Sequence, residues 1–445
     1  MQNIRKILTS YQGIATLLSL ALFALCLISL SGCVGEKSQA PVSVPTEKPG
    51  PKVTEAGEPA EGSVLYLAQA QFIKSTDEET GEMTTAPGPA RLVIWTMTAD
   101  GWREEVIEDP DSDVFHKAAW FTPVQGAPGI LTIGARQAQL KLWRRTPDGN
   151  WIAESLWNPV FGGKHDRLRD FEIADVNDDG LDEICMATHD QGVVAVAQWK
   201  DGGYTVEELT RVPDTFVHEM EVGDVDGDGI TEMFTTPSKP NRMDGTVQPG
   251  GIDMFKWQDG RWVQSQVEYL EHRHAKEILC TRIFPQKRPV LFTALEGENI
   301  GGQDGDGDTT RIRMYEFGED GAVTKTDIAS LPGLLCRFLT MGDTNGDGVN
   351  ELIASTNKNG IWRLDPPAED GGIWKKTLVA TGTSVFEHST YLADFDGDGI
   401  HEIYVASDNQ GQLRRYIWNG RGYSASVIGP LKDDTITFNV VARMP

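Results

Sequence analysis

The chain has 445 residues, with 47 Gly, 23 Pro, 12 Trp and 39% hydrophobic residues, so it carries many turns and enough apolar mass for a core, which excludes wholesale disorder. Sixty-six acidic residues against 40 basic ones leave a formal charge of −26. That balance excludes a nucleic-acid binder, because no broad Lys/Arg face is available to displace phosphate counterions, and the excess carboxylate points to divalent cations instead.

Residues 1–32 read as an export signal: Arg5 and Lys6 form the basic end, Ile14 to Leu30 the apolar run, and Leu30-Ser31-Gly32-Cys33 closes it. The closing box resembles the cleavage site of bacterial lipoproteins. That resemblance implies cleavage between Gly32 and Cys33, lipidation of Cys33 and, because Val34 rather than Asp follows, an outer-membrane or cell-surface location. The alternative is an uncleaved anchor, since the apolar run is long enough to span a bilayer. Both readings place the rest outside the cytoplasm. Residues 33–62 hold Pro41, Pro45, Pro49, Pro51 and Pro59 with little apolar content and read as a semi-extended tether. Cys185, Cys280 and Cys336 lie in apolar runs beyond it and are expected to be buried free thiols.

From residue 63 to 445 strand-like runs alternate with Gly turns and no helical period appears, which predicts an all-β domain. An Asp-Gly or Asn-Gly turn recurs at Asp100, Asp148, Asp201, Asp259, Asp320, Asp370 and Asn419, a period near 50 residues that implies repeated units. Both central positions of such a turn can take positive φ, which suits a tight hairpin. Four-stranded units in succession suit propeller blades, and seven turns predict seven blades. The first unit begins at its second strand. Thr435 to Met444 is therefore expected to pair with Val64 to Ala70 and close a seven-bladed β-propeller.

An acidic segment precedes four of these turns: Asp175 to Glu183, Asp224 to Glu232, Asp343 to Glu351 and Asp394 to Glu402. A degenerate copy stands around Arg282 to Pro285. The spacing D-x-[DN]-x-D-G-x-x-E offers side-chain oxygens at positions one, three and five, a carbonyl at seven and a carboxylate at nine, the hard oxygen set that Ca²⁺ prefers. An Asp/Gly turn without metal is the alternative for any single copy. The segments resemble the calcium-loop repeats of integrin α-chain propellers and the bacterial FG-GAP and VCBS repeats, over most of residues 167–445. The resemblance implies calcium ligands at Asp175, Asn177, Asp179 and Glu183; at Asp224, Asp226, Asp228 and Glu232; at Asp343, Asn345, Asp347 and Glu351; and at Asp394, Asp396, Asp398 and Glu402. Phe-Gly and Gly-Ala-Pro signatures, as at Phe161-Gly162 and Gly126-Ala127-Pro128, do not recur with the repeat. Asp304 to Asp308 lacks an acid at position nine and reads as an acidic surface loop.

Six residues before each first ligand stand Arg169, His218, Arg337 and His388, with Lys276 in the degenerate copy and His116, His165, His189, His272 and His274 nearby. If innermost strands begin round a propeller axis, this column forms an anion-binding mouth for a uronate, sulfate or phosphate, or a His-rich metal site. Alternatively it satisfies Asp170, Glu219, Glu221 and Glu277 in bonds between blades. Trp95, Trp143, Trp199, Trp257 and Trp418 on third strands are expected to pack between blades, with sugar stacking as the other use.

Two functions follow. One is a monomeric, calcium-stabilised, lipid-anchored propeller that binds a glycan or protein partner at its central face. The other is a carbon-oxygen lyase or dehydratase on sugars, with His218 or His388 as base and Arg169, Arg337 or Lys276 stabilising an enolate. No standard nucleophile elbow, phosphate loop or zinc-protease helix occurs in the chain.

Overall fold

A computed structural model describes residues 57–76, 83–162, 166–189, 191–240, 249–297, 309–369, 371–383 and 389–445. The export signal, Cys33, most of the tether, His165, the Asp304 to Asp308 segment, Asp370 and His388 lie outside the described residues. The chain divides into two compact units, one of Lys52–Phe72 with Pro87–Pro445 and one of Met1–Pro51 with Ile73–Ala86. In the second of these, the described residues include a hydroxyl hydrogen bond of 2.7 Å between Ser75 and Thr84.

The larger unit is all-β, with one short 3₁₀ turn at Asp408–Gln410 among the described residues. Burial along each repeat is graded. Second strands such as Glu183–Thr188, Glu351–Thr356 and Glu402–Ser407 are buried at every position, because neighbouring sheets cover both of their faces. Fourth strands such as Gly203–Thr210 have no fully buried position and carry exposed Glu207 and Glu208, charges that discourage further pairing at an edge. Apolar clusters join consecutive sheets: Cys185, Val194 and Val196 pack with Val217, Met233 and Phe255.

Hairpins form where the Asp-Gly turns stand. At Asp201-Gly202 both residues have positive φ, 52° and 87°, and Lys200 pairs with Gly203; Asp259-Gly260 repeats this at 52° and 75°. Aromatic residues on third strands brace these hairpins, Trp199 lying 5.1 Å from Tyr204, Trp257 5.0 Å from Trp262 and Trp418 5.3 Å from Tyr423. Cys185 and Cys336 are buried free thiols, and Cys280 is a half-buried one.

The last strand, Thr435–Arg443, pairs antiparallel with Val64–Thr76, placing Arg443 opposite Val64 and Thr435 opposite Gln71. Ala90–Thr98 lies on the other side of Val64–Thr76, and Gly101–Asp109 completes this sheet. Four further sheets of four strands each follow over 216–270, 275–332, 336–380 and 390–430.

The expected seven discrete blades are not formed. Residues 115–210 build one curled eight-stranded sheet instead of two blades, so the propeller-like arrangement consists of five blade-like sheets and this larger one. The join is short: strand Gly129–Arg136 runs past its own hairpin partner, and its last residues Ala135 and Arg136 pair with Arg167 and Asp166 of the next repeat. Counting Asp-Gly turns counts hairpins, and carries no information about backbone bonds between successive hairpins.

Leu65, Leu67 and Val440 share one buried cluster with Phe395 and Tyr404. Deleting residues 435–445 unpairs that strand and uncovers the cluster, so thermal melting should fall by about 10 °C or more. Met444→Ser, at a side chain 50% exposed, should leave melting nearly unchanged.

Candidate functional site

Each acidic loop connects a first strand to a second strand that opens with the motif's glutamate: Asp166–Ala174 to Glu183–Thr188, Phe216–Gly223 to Glu232–Ser238, Cys336–Gly342 to Glu351–Thr356, and Thr390–Ala393 to Glu402–Ser407. Local hydrogen bonds fold all four loops alike. The first aspartate accepts the N–H of the glycine at position six through Oδ2, at 2.9 Å for Asp175, 3.1 Å for Asp224, 2.7 Å for Asp343 and 3.0 Å for Asp394. These glycines have φ of 83° to 91°, a region that disfavours a side chain. The final glutamate is at most 3% exposed in every loop. Its Oε2 accepts the N–H of the residue after the first aspartate, from Val176, Val225, Thr344 and Phe395 in turn.

Burial pushes the Glu183 and Glu351 carboxyls up to about 7 and that of Glu402 to about 8. A nearby cation would favour their ionised form. Ligand oxygens of Asp224, Asp226 and Glu232 lie within 4.8 Å of one another, as do those of Asp343, Asp347 and Glu351 and those of Asp394, Asp396 and Asp398. The first loop does not gather such a carboxylate set. There Asn177 Nδ2 donates to Glu183 Oε1 at 2.9 Å. In the fourth loop Asp396 Oδ2 is buried with no hydrogen-bond partner among the described residues, an acceptor that a hard cation would satisfy. The all-oxygen donor sets fit calcium better than zinc. Sequence spacing did not point to Lys256, on strand Gly250–Gln258, whose ammonium lies 2.6 Å from Asp226 Oδ2, 2.7 Å from Asp228 Oδ2 and 2.7 Å from Glu232 Oε1.

The basic and imidazole column is buried: Arg169 is 8% exposed, His218 2% and Lys276 1%. Arg169 Nη2 donates to Glu219 at 2.8 Å, and its Nη1 lies 3.4 Å from His116 Nδ1. Lys276 Nζ contacts His218 Nε2 at 2.8 Å and Glu296 at 3.4 Å, rather than Glu277 beside it in sequence. Asp170 is held by Lys117 at 2.9 Å and by the Met220 N–H. Lys117 also pairs with Glu172. The bonds of Arg169, Lys117 and His218 cross between first strands of successive repeats, whereas Glu296 follows the second strand of Lys276's own repeat. Neither Lys117 nor Glu296 was marked by loop spacing; the only sequence signal was a charge in an otherwise apolar inner strand.

The histidines cluster without forming a metal site. His189 stacks on Phe216 at 3.9 Å, and the His218 ring lies 5.1 Å from His189 and 6.0 Å from His274. Among the described residues no imidazole belongs to a group of three ligating side chains with atoms within 4.8 Å. His272 is exposed beside Glu271. Arg337 stands in the same register on Cys336–Gly342, and its charge helps to hold His116 neutral after burial and Arg169.

No protein-family model and no curated protein matches this chain. Among solved structures, a Lactobacillus plantarum protein from a structural-genomics programme matches with a TM-score of 0.53 at 10% identity, over 86% of this chain and 100% of that one. The cobalt-substituted apocarotenoid oxygenase of Synechocystis matches with a TM-score of 0.50 at 10% identity, over 87% of this chain and 93% of that one. The chain has a β-propeller-like fold. At such identity the likeness is one of fold alone.

Within that fold the buried imidazoles stay neutral. His274, facing Lys276, Glu296 and His218, is lowered to about 3, first by burial and then by the Lys276 charge, which together outweigh Glu296. A folded pKa below the unfolded value near 6.5 means that the unfolded chain takes up its proton first as pH falls. Stability is then lost from about pH 6.5 downward. Between pH 7 and 5 the wild type should lose about 1–2 kcal/mol relative to His274→Gln in urea unfolding. A pH-independent difference between the two would refute a neutral buried imidazole.

Proposed function

We propose that this chain is a calcium-stabilised, propeller-like binding module, anchored outside the cytoplasm by a lipid on Cys33, that recognises a glycan or a protein partner and performs no chemistry itself. The observation that carries the calcium part is the convergence of carboxylate oxygens in the acidic loops, together with the unpartnered buried oxygen of Asp396. Their resemblance to FG-GAP and VCBS repeats supports the same assignment. Bound calcium would be held by Asp394, Asp396, Asp398 and Glu402. Asp343, Asn345, Asp347 and Glu351, and likewise Asp175, Asn177, Asp179 and Glu183, would form further sites once the Asn345 and Asn177 amides release Glu351 and Glu183. The ion's role is structural: it offsets carboxylate repulsion where one strand is turned into the next.

A binding role is favoured over sugar elimination because the candidate base His218 is buried against Lys276. A lyase needs a base that reaches its substrate. Arg169 and Lys276 already face Glu219 and Glu296, so an anionic ligand at the central face would have to break those pairs. A neutral glycan or a protein surface fits better there. The lipid anchor rests on the Leu30 to Cys33 box and on the proline-rich stretch that follows it.

At millimolar calcium and a Kd of about 10⁻⁴ M, each site adds on the order of 1 kcal/mol. Chelation should therefore lower the melting temperature by several degrees, and Asp394→Ala should remove part of that response. Equal melting with calcium and with chelator would overturn the calcium role. Mass spectrometry of the membrane-bound protein should find a lipid-modified Cys33 at its N-terminus; residues 1–32 still attached would favour the uncleaved anchor.

A further inference from the structure

We propose that the second acidic loop carries its own cation: the Lys256 ammonium occupies the place of calcium among Asp226, Asp228 and Glu232, and this loop folds without metal. The inference rests on the calcium reading of the other loops and narrows it.

The geometry is that of a filled site. An ammonium has three donors, and three carboxylate oxygens from positions three, five and nine surround Lys256 Nζ at 2.6–2.7 Å. Calcium–oxygen distances are about 2.3–2.6 Å, so the two cations compete for nearly the same point. Glu232 is fully buried and the Lys256 side chain is 16% exposed, whereas Asp226 and Asp228 are 29% and 46% exposed, so the pair with Glu232 is the one that water screens least. An entering calcium ion would have to expel the ammonium from its hydrogen bond to Asp226 and from close ion pairs with Asp228 and Glu232, while the tethered charge stayed close by. Arg288 adds a second positive charge at this loop by donating to the Asp226 carbonyl.

The lysine is peculiar to this repeat. Strand register pairs Met233 with Phe255, Ile184 with Ala197, Leu352 with Leu364 and Ile403 with Tyr416. The residue after each third-strand partner is Lys256 in the second loop's sheet, but Gln198, Asp365 and Ile417 in the others. None of those three brings a cation. In the fourth loop the nearest cationic group to the glutamate is Arg415, at 3.9 Å from Glu402 Oε1, too long for a direct bond.

The test counts calcium per chain by elemental mass spectrometry after gel filtration, for wild type and Lys256→Met, with Lys256→Gln as a polar replacement should the methionine variant aggregate. One additional ion in the variant is expected. Equal, non-zero counts in the two proteins would overturn the proposal. If neither protein holds calcium, the calcium reading of all the loops fails, and the lysine is judged in chelator by a double-mutant cycle. Asp226→Asn should then lower the melting temperature of the wild type more than that of Lys256→Met. The absence of coupling would overturn the ammonium assignment independently of calcium.

Discussion

A glutamate carboxylate buried at the first residue of a second strand is the constraint on which each acidic repeat depends. One of its oxygens closes the loop by accepting the N–H that follows the first aspartate, and this bond sets where the inner strand stops and the next one starts. The other oxygen is left facing the acidic loop. A buried carboxylate costs several kcal/mol unless hydrogen bonds or a cation compensate it. The repeats meet that demand differently: Asn177 and Asn345 donate amide hydrogens, Lys256 brings an ammonium, and the fourth loop leaves Asp396 unsatisfied beside Glu402. One backbone frame thus carries loops that compensate the same buried carboxylate with different partners.

The same economy governs the inner strands. A column of Arg, Lys and His in so acidic a protein suggests a receptor for anions. Packing first strands side by side instead brings Glu219 onto Arg169, and Glu296, just past the second strand of its own repeat, reaches Lys276. With exposures of 1–8% for Arg169, His218 and Lys276, the network is insulated from solvent. Removing one member leaves an uncompensated buried charge, which is why such pairs hold a register even where they add little net stability.

Local chemistry alone was enough for the turns, the strands and the internal bonds of the acidic loops. Asp-Gly dictates a tight hairpin through positive φ, D-x-[DN]-x-D-G-x-x-E dictates its own internal hydrogen bonds, and the pairing of Thr435–Arg443 with Val64–Thr76 follows from an unpartnered strand at each end of the domain. These are effects of neighbours within a few residues, or of a simple count of strands, and so they can be read along the chain. The grouping of strands into sheets could not be read so. Two extra backbone pairs, Ala135 with Arg167 and Arg136 with Asp166, merge two expected blades into one eight-stranded sheet, and any residue type can make such bonds.

The amino-acid sequence by itself determined an all-β chain of repeated hairpins with acidic, oxygen-rich loops, because period, turn chemistry and ligand spacing are local properties. Only the tertiary structure decided that Lys256 reaches the second loop, that Lys276 turns to Glu296 rather than Glu277, and that the sheets number fewer than the hairpins. The physical reason is common to all three: the partners are brought together by packing between strands far apart in the chain, and no spacing within a motif encodes which distant charge will arrive beside it.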